Sequence, residues 1–167
     1  MPQLKDECLF ENSKEKVFKD KMRGYERLFL EELNVRIDDE IKWLLSQANY
    51  LVNDHLILRY SSLKSDQHDS NIQSNEVMLF VKIAIKKKGF TIEWFLQYFS
   101  VKEIKKKALI IPLKMNKKKM SYSFGLTSGV PAWEREHATF IEEKFCLIRK
   151  RLNVLLKIHQ QLIQKAN

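Results

Sequence analysis

The spacing of apolar residues changes twice along this chain, and that change constrains the fold more than any other feature of the sequence. Toward each end, apolar side chains recur at alternating intervals of four and three residues, which is the period of a helix that buries one face. The first stripe consists of Ile37, Ile41, Leu44, Ala48, Leu51, His55 and Leu58, and the second of Ile141, Phe145, Ile148, Leu152, Leu155, His159 and Leu162. We therefore predict two long amphipathic helices and a short N-terminal helix. The short helix and the first long helix lie within about residues 14–61, on either side of the phase slip near Asn34, and the second long helix lies at about residues 131–165.

Between the two helices the period becomes two, which is typical of strands with one buried face. Apolar residues alternate from Val77 to Ile85 and, after a short turn, from Phe90 to Tyr98. Residues 108–113 and 120–126 are two further candidate strands. Proline has no N–H to donate to a neighbouring strand, so Pro112 indicates an edge strand or a strand end. The pattern predicts an antiparallel meander of three or four strands.

These elements predict an α+β fold in which both long helices pack on one face of the sheet. Pairing of the two helices within one chain is the favoured arrangement, and a homodimer through either helix stripe is the alternative. A length of 167 residues fits one domain with a sizeable core. We expect a flexible N-terminus at residues 1–13 and a single domain at residues 14–167, with the sheet at about 76–126.

The N-terminal residues have no apolar segment of the signal-peptide type, and no window resembles a transmembrane helix. The two cysteines, Cys8 and Cys146, are far apart and lack the spacing of metal ligands. Such cysteine usage suits a reducing compartment. We therefore expect a cytoplasmic protein that has no membrane attachment, no metal and no cofactor.

The positive charge of the chain is concentrated in its middle quarter. Residues 77–119 contain twelve lysines and two acidic residues, a net charge of +10, whereas the whole chain carries +9. The rest of the chain therefore sums to −1. Such segregation is typical of a surface that meets a polyanion.

Nine of these lysines form three triplets, at residues 86–88, 105–107 and 117–119, and a further basic cluster follows at residues 149–151. Lysines at strand ends also deter edge-to-edge aggregation, but that explanation accounts for one triplet better than for three. We therefore predict that these residues contact nucleic acid. They are Lys86, Lys87, Lys88, Lys105, Lys106, Lys107, Lys117, Lys118, Lys119, Arg149, Lys150 and Arg151.

Residues suited to catalysis are few and scattered. His55 and His159 lie in the helix stripes, where a histidine is more often an interior hydrogen-bonded residue than a catalyst. His137 lacks the HExxH order of a zinc helix, and Cys146 has no histidine within one helical turn to act as its base. Phosphate-binding glycine loops are absent from the sequence as well. We interpret the protein as a non-enzyme with no catalytic residues.

Two stretches, "TIEW" at residues 91–94 and "AWEREHATFIEEKFCLIRKRLNVLLKI" at residues 132–158, resemble the MobI family. MobI proteins are auxiliary mobilisation proteins of A/C-type plasmids and SXT-type integrating conjugative elements. The resemblance covers about residues 36–160, includes Trp94, Trp133, Glu134 and Arg149, and does not extend to the lysine triplets. It implies a non-enzymatic role at the origin of transfer, beside a relaxase, with the tryptophans as structural residues.

Together, the charge and the resemblance predict an accessory DNA-binding protein of conjugative transfer. Its expected partners are origin-of-transfer DNA and a relaxase or another relaxosome protein. The alternative is a protein-interaction module, such as a secreted effector or assembly adaptor, whose lysines serve only solubility.

Overall fold

The computed structural model describes residues 4–66, 77–98, 109–125 and 127–166. In these ranges it contains two helices and one antiparallel three-stranded sheet, which confirms the predicted α+β class. The elements in chain order are α1 (Leu4–Asp66), β1 (Val77–Lys86), β2 (Gly89–Tyr98), β3 (Leu109–Pro112) and α2 (Ala132–Ala166). The second lysine triplet, Lys105–Lys107, lies outside the described residues.

Helix α1 is one continuous helix, so the short N-terminal helix that we expected is not a separate element. Glycine in a helix interior costs only about 0.5–1 kcal/mol relative to alanine, so Gly24 does not end the helix. The pairs Arg27–Glu31 and Glu32–Arg36, each four residues apart, follow Gly24 and support the helix on its C-terminal side. The helix begins at Leu4, and the flexibility expected for residues 1–13 stays a prediction.

The chain divides into two compact units, Met1–Glu40 with Lys157–Asn167, and Ile41–Leu156. The second unit contains the whole sheet and a single hydrophobic core. Its apolar stripe from α1 includes Leu44 and Leu51, and its stripe from α2 includes Phe145 and Leu152, as the helical spacing predicted. The single-domain arrangement of residues 14–167 stays a prediction.

Within this second unit, the two helices run antiparallel. Near one end of the paired segment, the guanidinium of Arg151 lies 5.4 Å from the ring of Trp43. Near the other end, the rings of His55 and His137 stack with their centroids 5.6 Å apart. Each helix stripe therefore meets the other inside one chain, which is the arrangement that the sequence favoured.

The sheet has the order β1-β2-β3, with β1 and β2 joined by a tight hairpin in which Lys86 lies opposite Gly89. Side chains of Leu79, Val81, Ile92 and Trp94 point to one face, the core face, where both helices pack. The opposite face, here called the outer face, carries Met78, Phe80, Lys82 and Ala84 of β1, and Thr91, Glu93, Phe95 and Gln97 of β2.

Strand β3 is an edge strand, and Pro112 ends it, as expected for a proline in a sheet. The fourth strand proposed for residues 120–126 is wrong for the part of it that the structure describes. Residues 116 and 121 form one isolated bridge, and residues 122–125 form no strand.

Replacing Leu152 by alanine is expected to lower the free energy of unfolding by about 2–5 kcal/mol, because the change leaves a cavity in the core. Leu152 is 5% exposed, whereas Leu147 in the same helix is 66% exposed. Leu147→Ala changes helix propensity equally and is the matched control, expected to stay within about 0.5 kcal/mol of the wild type. Equal urea-unfolding midpoints for both variants would remove Leu152 from the core.

Candidate nucleic-acid interface

The first lysine triplet forms the tip of the β1–β2 hairpin. Lys86, Lys87 and Lys88 are all exposed. Gly89 follows them with a φ of +137°, a conformation that side chains disfavour and glycine adopts without strain. A Cβ atom at Gly89 would lie 3.5 Å from methyl groups of Leu152 and Leu156, so the hairpin base packs closely on α2. The triplet therefore projects from a well-supported turn.

The third triplet, Lys117–Lys119, forms the tip of a second tight turn. Asn116 organises it, because its Oδ1 atom accepts hydrogen bonds from the backbone N–H groups of Lys118 and Lys119, both at 3.1 Å. Met120 closes the turn in the left-handed region, with a φ of 55°. The three lysine side chains are exposed. The side chain of Asn116 thus stabilises the backbone of the turn, and the three lysine side chains extend into solvent.

The strand register places these two triplets at the same end of the sheet. Strand β3 runs antiparallel to β2, with Leu109 opposite Tyr98 and Pro112 opposite Phe95. The chain leaving Pro112 therefore continues toward the β1–β2 hairpin, and Leu113 N donates to Trp94 O at 2.8 Å on the way. We call the six lysines of the first and third triplets the basic end.

Arg149 does not belong to the exposed part of this surface, although the sequence analysis assigned it to nucleic acid. It is 7% exposed and faces the carboxylate of Glu142, which is 3% exposed. Arg149 Nη1 donates to Glu142 Oε1 at 2.6 Å, and Nη2 donates to Oε2 at 3.1 Å. This two-point geometry matches the planar guanidinium to the planar carboxylate. We call the pair the Arg149 clasp.

The Arg149 clasp joins the basic end to helix α2. Arg149 also donates to the backbone carbonyls of Ile92, at 3.3 Å, and Met120, at 3.0 Å. The thiol of Cys146 donates to the carbonyl of Lys119 at 3.2 Å. Because two nitrogens of Arg149 donate hydrogen bonds to the Ile92 carbonyl at the edge of β2, that carbonyl is not available to accept a bond from a further strand. The same bonds hold the turn of the third triplet in place.

Glu142 also satisfies donors of the core. Trp94 Nε1 donates to its Oε2 atom at 2.8 Å, and the backbone N–H of Tyr122 donates to Oε1 at 3.0 Å. Trp94 is therefore structural, as the family resemblance implied. Position 142 precedes position 149 by seven residues, two helical turns, so both side chains project from the same side of α2 as Phe145. That spacing within an apolar stripe is the sequence signal that would have identified the pair.

The remaining members of the basic cluster on α2 are exposed. Lys150 lies on the surface, and Arg151 is exposed with its guanidinium over the ring of Trp43. They lie one and two residues after Arg149, which bonds to the turn of the third triplet. Lys150 and Arg151 therefore remain candidates for contact beside the basic end.

A cavity of about 330 Å³ lies between β2, the chain around the third triplet and α2. Its walls include Phe90, Met115, Met120, Leu156 and Arg149. Most of this lining is apolar, so the cavity suits an apolar group better than a phosphate. We assign the phosphate contacts to the exposed lysines outside it.

A second buried polar cluster surrounds the backbone of Leu79 at the free edge of β1. It consists of His55, Arg59 and Glu134, and we call it the Leu79 cluster. Glu134 Oε1 accepts from Leu79 N at 3.1 Å, while His55 Nε2 lies 3.4 Å from Leu79 O. Arg59 adds contacts to Leu79 O and to the sulfur of Met78. His55 is thus an interior hydrogen-bonded residue, as its stripe position predicted.

Burial shifts the pKa values of two groups in this cluster, His55 and Glu134, in opposite directions. It lowers the pKa of His55 to about 4, and it raises the pKa of Glu134 to about 7. Both favour their neutral forms, because the low-dielectric interior penalises charge. His55 is 0% exposed and Glu134 is 1% exposed. A substrate has no access to these atoms in this conformation, so we interpret the cluster as structural.

Within the described ranges, no group of three histidine, cysteine or acidic side chains is arranged to hold a metal ion. The helices in those ranges also include none that is long and apolar enough to cross a membrane.

Comparison with known families identifies the chain. A family model described as MobI protein matches residues 44–163, well over half of the sequence. Comparisons with curated proteins and with solved structures gave no match. The matched range contains the Arg149 clasp, the basic end and the Leu79 cluster, and it confirms the resemblance seen in the tryptophan-containing stretches. The chain belongs to the MobI family of accessory proteins in conjugative mobilisation.

Proposed function

We propose that the protein binds DNA at the origin of transfer and assists a relaxase there. The observation that carries this proposal is the basic end, where two lysine triplets from different turns lie at one end of one sheet. Family membership supplies the mobilisation context. The relaxase is the expected protein partner, because an accessory protein without chemistry of its own acts through the enzyme that cleaves the DNA.

The chemistry of the basic end suits phosphates. A lysine ammonium is a compact charge on a flexible stem, and it reaches phosphate groups without demanding one geometry. Six such groups on two turns concentrate positive charge at one end of the sheet, and a nucleic-acid backbone presents a continuous row of negative charges. Lysines that contact phosphates position a protein without reading bases. We therefore assign affinity to the basic end and leave any sequence preference to other residues.

Removing the first triplet is expected to reduce the salt dependence of DNA binding. Each lysine–phosphate contact contributes about 0.9 to the slope of log affinity against log salt on duplex DNA. The triple variant Lys86→Ala, Lys87→Ala, Lys88→Ala should therefore flatten the slope by about 2–3 units. Binding to origin-of-transfer and random duplexes should weaken by the same factor, as measured by fluorescence anisotropy across a salt series.

A charge-matched control separates the basic end from the net charge of the protein. Lys21, Arg23 and Lys157 are exposed and belong to the other compact unit. Their triple alanine variant removes the same charge and should retain most of the wild-type slope. Equal slopes for the two triple variants would contradict the proposal, as would a wild-type protein that ignores DNA at low salt.

The edge strand β3 favours a second candidate function. Leu109, Ile110 and Ile111 are all exposed, although they are consecutive apolar residues. Such a patch is typical of protein contact. A protein-interaction module would use this patch, and its binding would be insensitive to the lysine substitutions above.

A further inference from the structure

The outer face of the sheet carries a pair of aromatic side chains that lie outside the hydrophobic core. Phe80 and Phe95 lie directly opposite each other in the β1–β2 register. Their ring centroids are 6.3 Å apart, with the ring planes inclined at 46°. Both side chains are partly exposed, and neither belongs to the hydrophobic core or packs against it. In the second unit, α1 and α2 contribute to the core on the opposite face.

The aromatic pair continues into the basic end along one strand. Alternate residues of β1 share the outer face, so Lys82 and Lys86 lie on the same face as Phe80. Lys82 and Lys86 are both exposed. The only acidic residue that the structure describes on this face is Glu93, which lies opposite Lys82 and accepts a hydrogen bond from Thr91 Oγ1 at 3.1 Å. A row of cations thus leads from the aromatic rings to the hairpin tip.

Aromatic rings beside a row of cations have the chemistry that binds unpaired nucleic acid. Each base stacks on a ring, while the cations follow the phosphates. A duplex cannot use the rings in this way, because its bases are already stacked on one another and must be extruded first. The occupant that fits both features is a single strand.

We propose that the outer face binds single-stranded DNA, with bases stacked on Phe80 and Phe95 and phosphates at Lys82 and Lys86. This inference rests on the proposed DNA-binding function and adds the strand state of the ligand. Duplex DNA then engages the lysines of the basic end alone.

The test compares two probes, a fluorescein-labelled oligothymidylate and a duplex of random sequence, in the same buffer. Phe80→Leu and Phe95→Leu retain apolar bulk but lose the ring, so each should weaken oligothymidylate binding about 5-fold or more. Duplex affinity and its salt slope should stay at the wild-type values. Phe95→Tyr retains a ring and should restore single-strand binding. Ile85→Ala, at an exposed apolar residue of β1 on the other face, is the control and should leave both affinities unchanged.

Three results would overturn the inference, and they are distinguishable. Wild-type protein that binds the duplex but not oligothymidylate would remove the single-strand site and leave the proposed function intact. Leucine variants that remain folded and retain full single-strand affinity would show that the pair only stabilises the hairpin. Wild-type protein that binds neither probe would remove the proposed function and this inference together.

Discussion

Replacing Glu142 by alanine is expected to lower the free energy of unfolding by about 3–5 kcal/mol, the cost of breaking a buried ion pair from one side. The variant leaves the guanidinium of Arg149 in the interior without its carboxylate. Two further donors, Trp94 Nε1 and Tyr122 N, lose the same acceptor. A buried donor without a partner retains its full desolvation cost, so the losses act together.

Glu143 provides a matched control for this substitution. It follows Glu142 in the same helix but is exposed. Glu143→Ala removes the same charge and is expected to stay within about 0.5 kcal/mol of the wild type. Urea unfolding followed by the far-ultraviolet helix signal measures both variants. A Glu142→Ala protein as stable as Glu143→Ala would show that the Arg149 clasp does not hold the fold.

Replacing Glu134 by glutamine is expected to make stability strongly dependent on pH. In the wild type, the two shifted groups of the Leu79 cluster act in opposite senses. The contribution of His55 to the free energy of unfolding is fully present above its ordinary pKa of 6.5. It is lost as pH falls toward 4, because in this range only the unfolded chain takes up the proton. The contribution of Glu134 to the free energy of unfolding is fully present below pH 4.5. It is lost as pH rises toward 7, because the folded state keeps the proton of this carboxyl to a higher pH than the unfolded chain does.

These two contributions largely cancel between pH 4.5 and 6.5. Glutamine removes the Glu134 contribution and leaves an oxygen that still accepts from Leu79 N. Of the two groups only His55 then remains, so the stability of the variant relative to the wild type should rise with pH by about 1.4 kcal/mol per unit, or about 3 kcal/mol over the window. Neighbouring Arg59, Asp54 and His137 are the same in both proteins, so the difference between them isolates Glu134.

Chemical denaturation at several pH values measures this difference. Glu136→Gln, at an exposed position in the same helix, is the control and should reproduce the wild-type profile. A Glu134→Gln profile parallel to the wild type would show that Glu134 is ionised in the folded protein across the window.

The periodicity of the sequence was sufficient to predict the fold class. A stripe of apolar side chains at helical spacing has to be buried somewhere, and Leu44, Leu51, Phe145 and Leu152 are buried together. Period-two alternation predicted β1 and β2 for the same reason. The two long helices are confirmed, and the expected short N-terminal helix is continuous with α1, because a phase slip of the stripe near Asn34 changes which face is apolar without breaking the backbone.

The irregular backbone at residues 122–125 and the burial of Arg149 were missed for one shared reason. Tyr122 and Phe124 alternate like strand residues, but the backbone N–H of Tyr122 donates to Glu142, and Arg149 donates to the carbonyl of Ile92, 57 residues away in the sequence. Local patterns do not contain such contacts. A charge count likewise treats Arg149 and Lys150 alike, although one is buried against a carboxylate and the other is exposed.

The turn of the third triplet is held without any lysine side chain. Its supports are the amide of Asn116, the guanidinium of Arg149 and the thiol of Cys146, and all three bond to backbone atoms of the turn. Residues 117, 118 and 119 are therefore free to vary while the loop conformation persists. The charge at this tip can therefore be altered one lysine at a time, at small cost to folding.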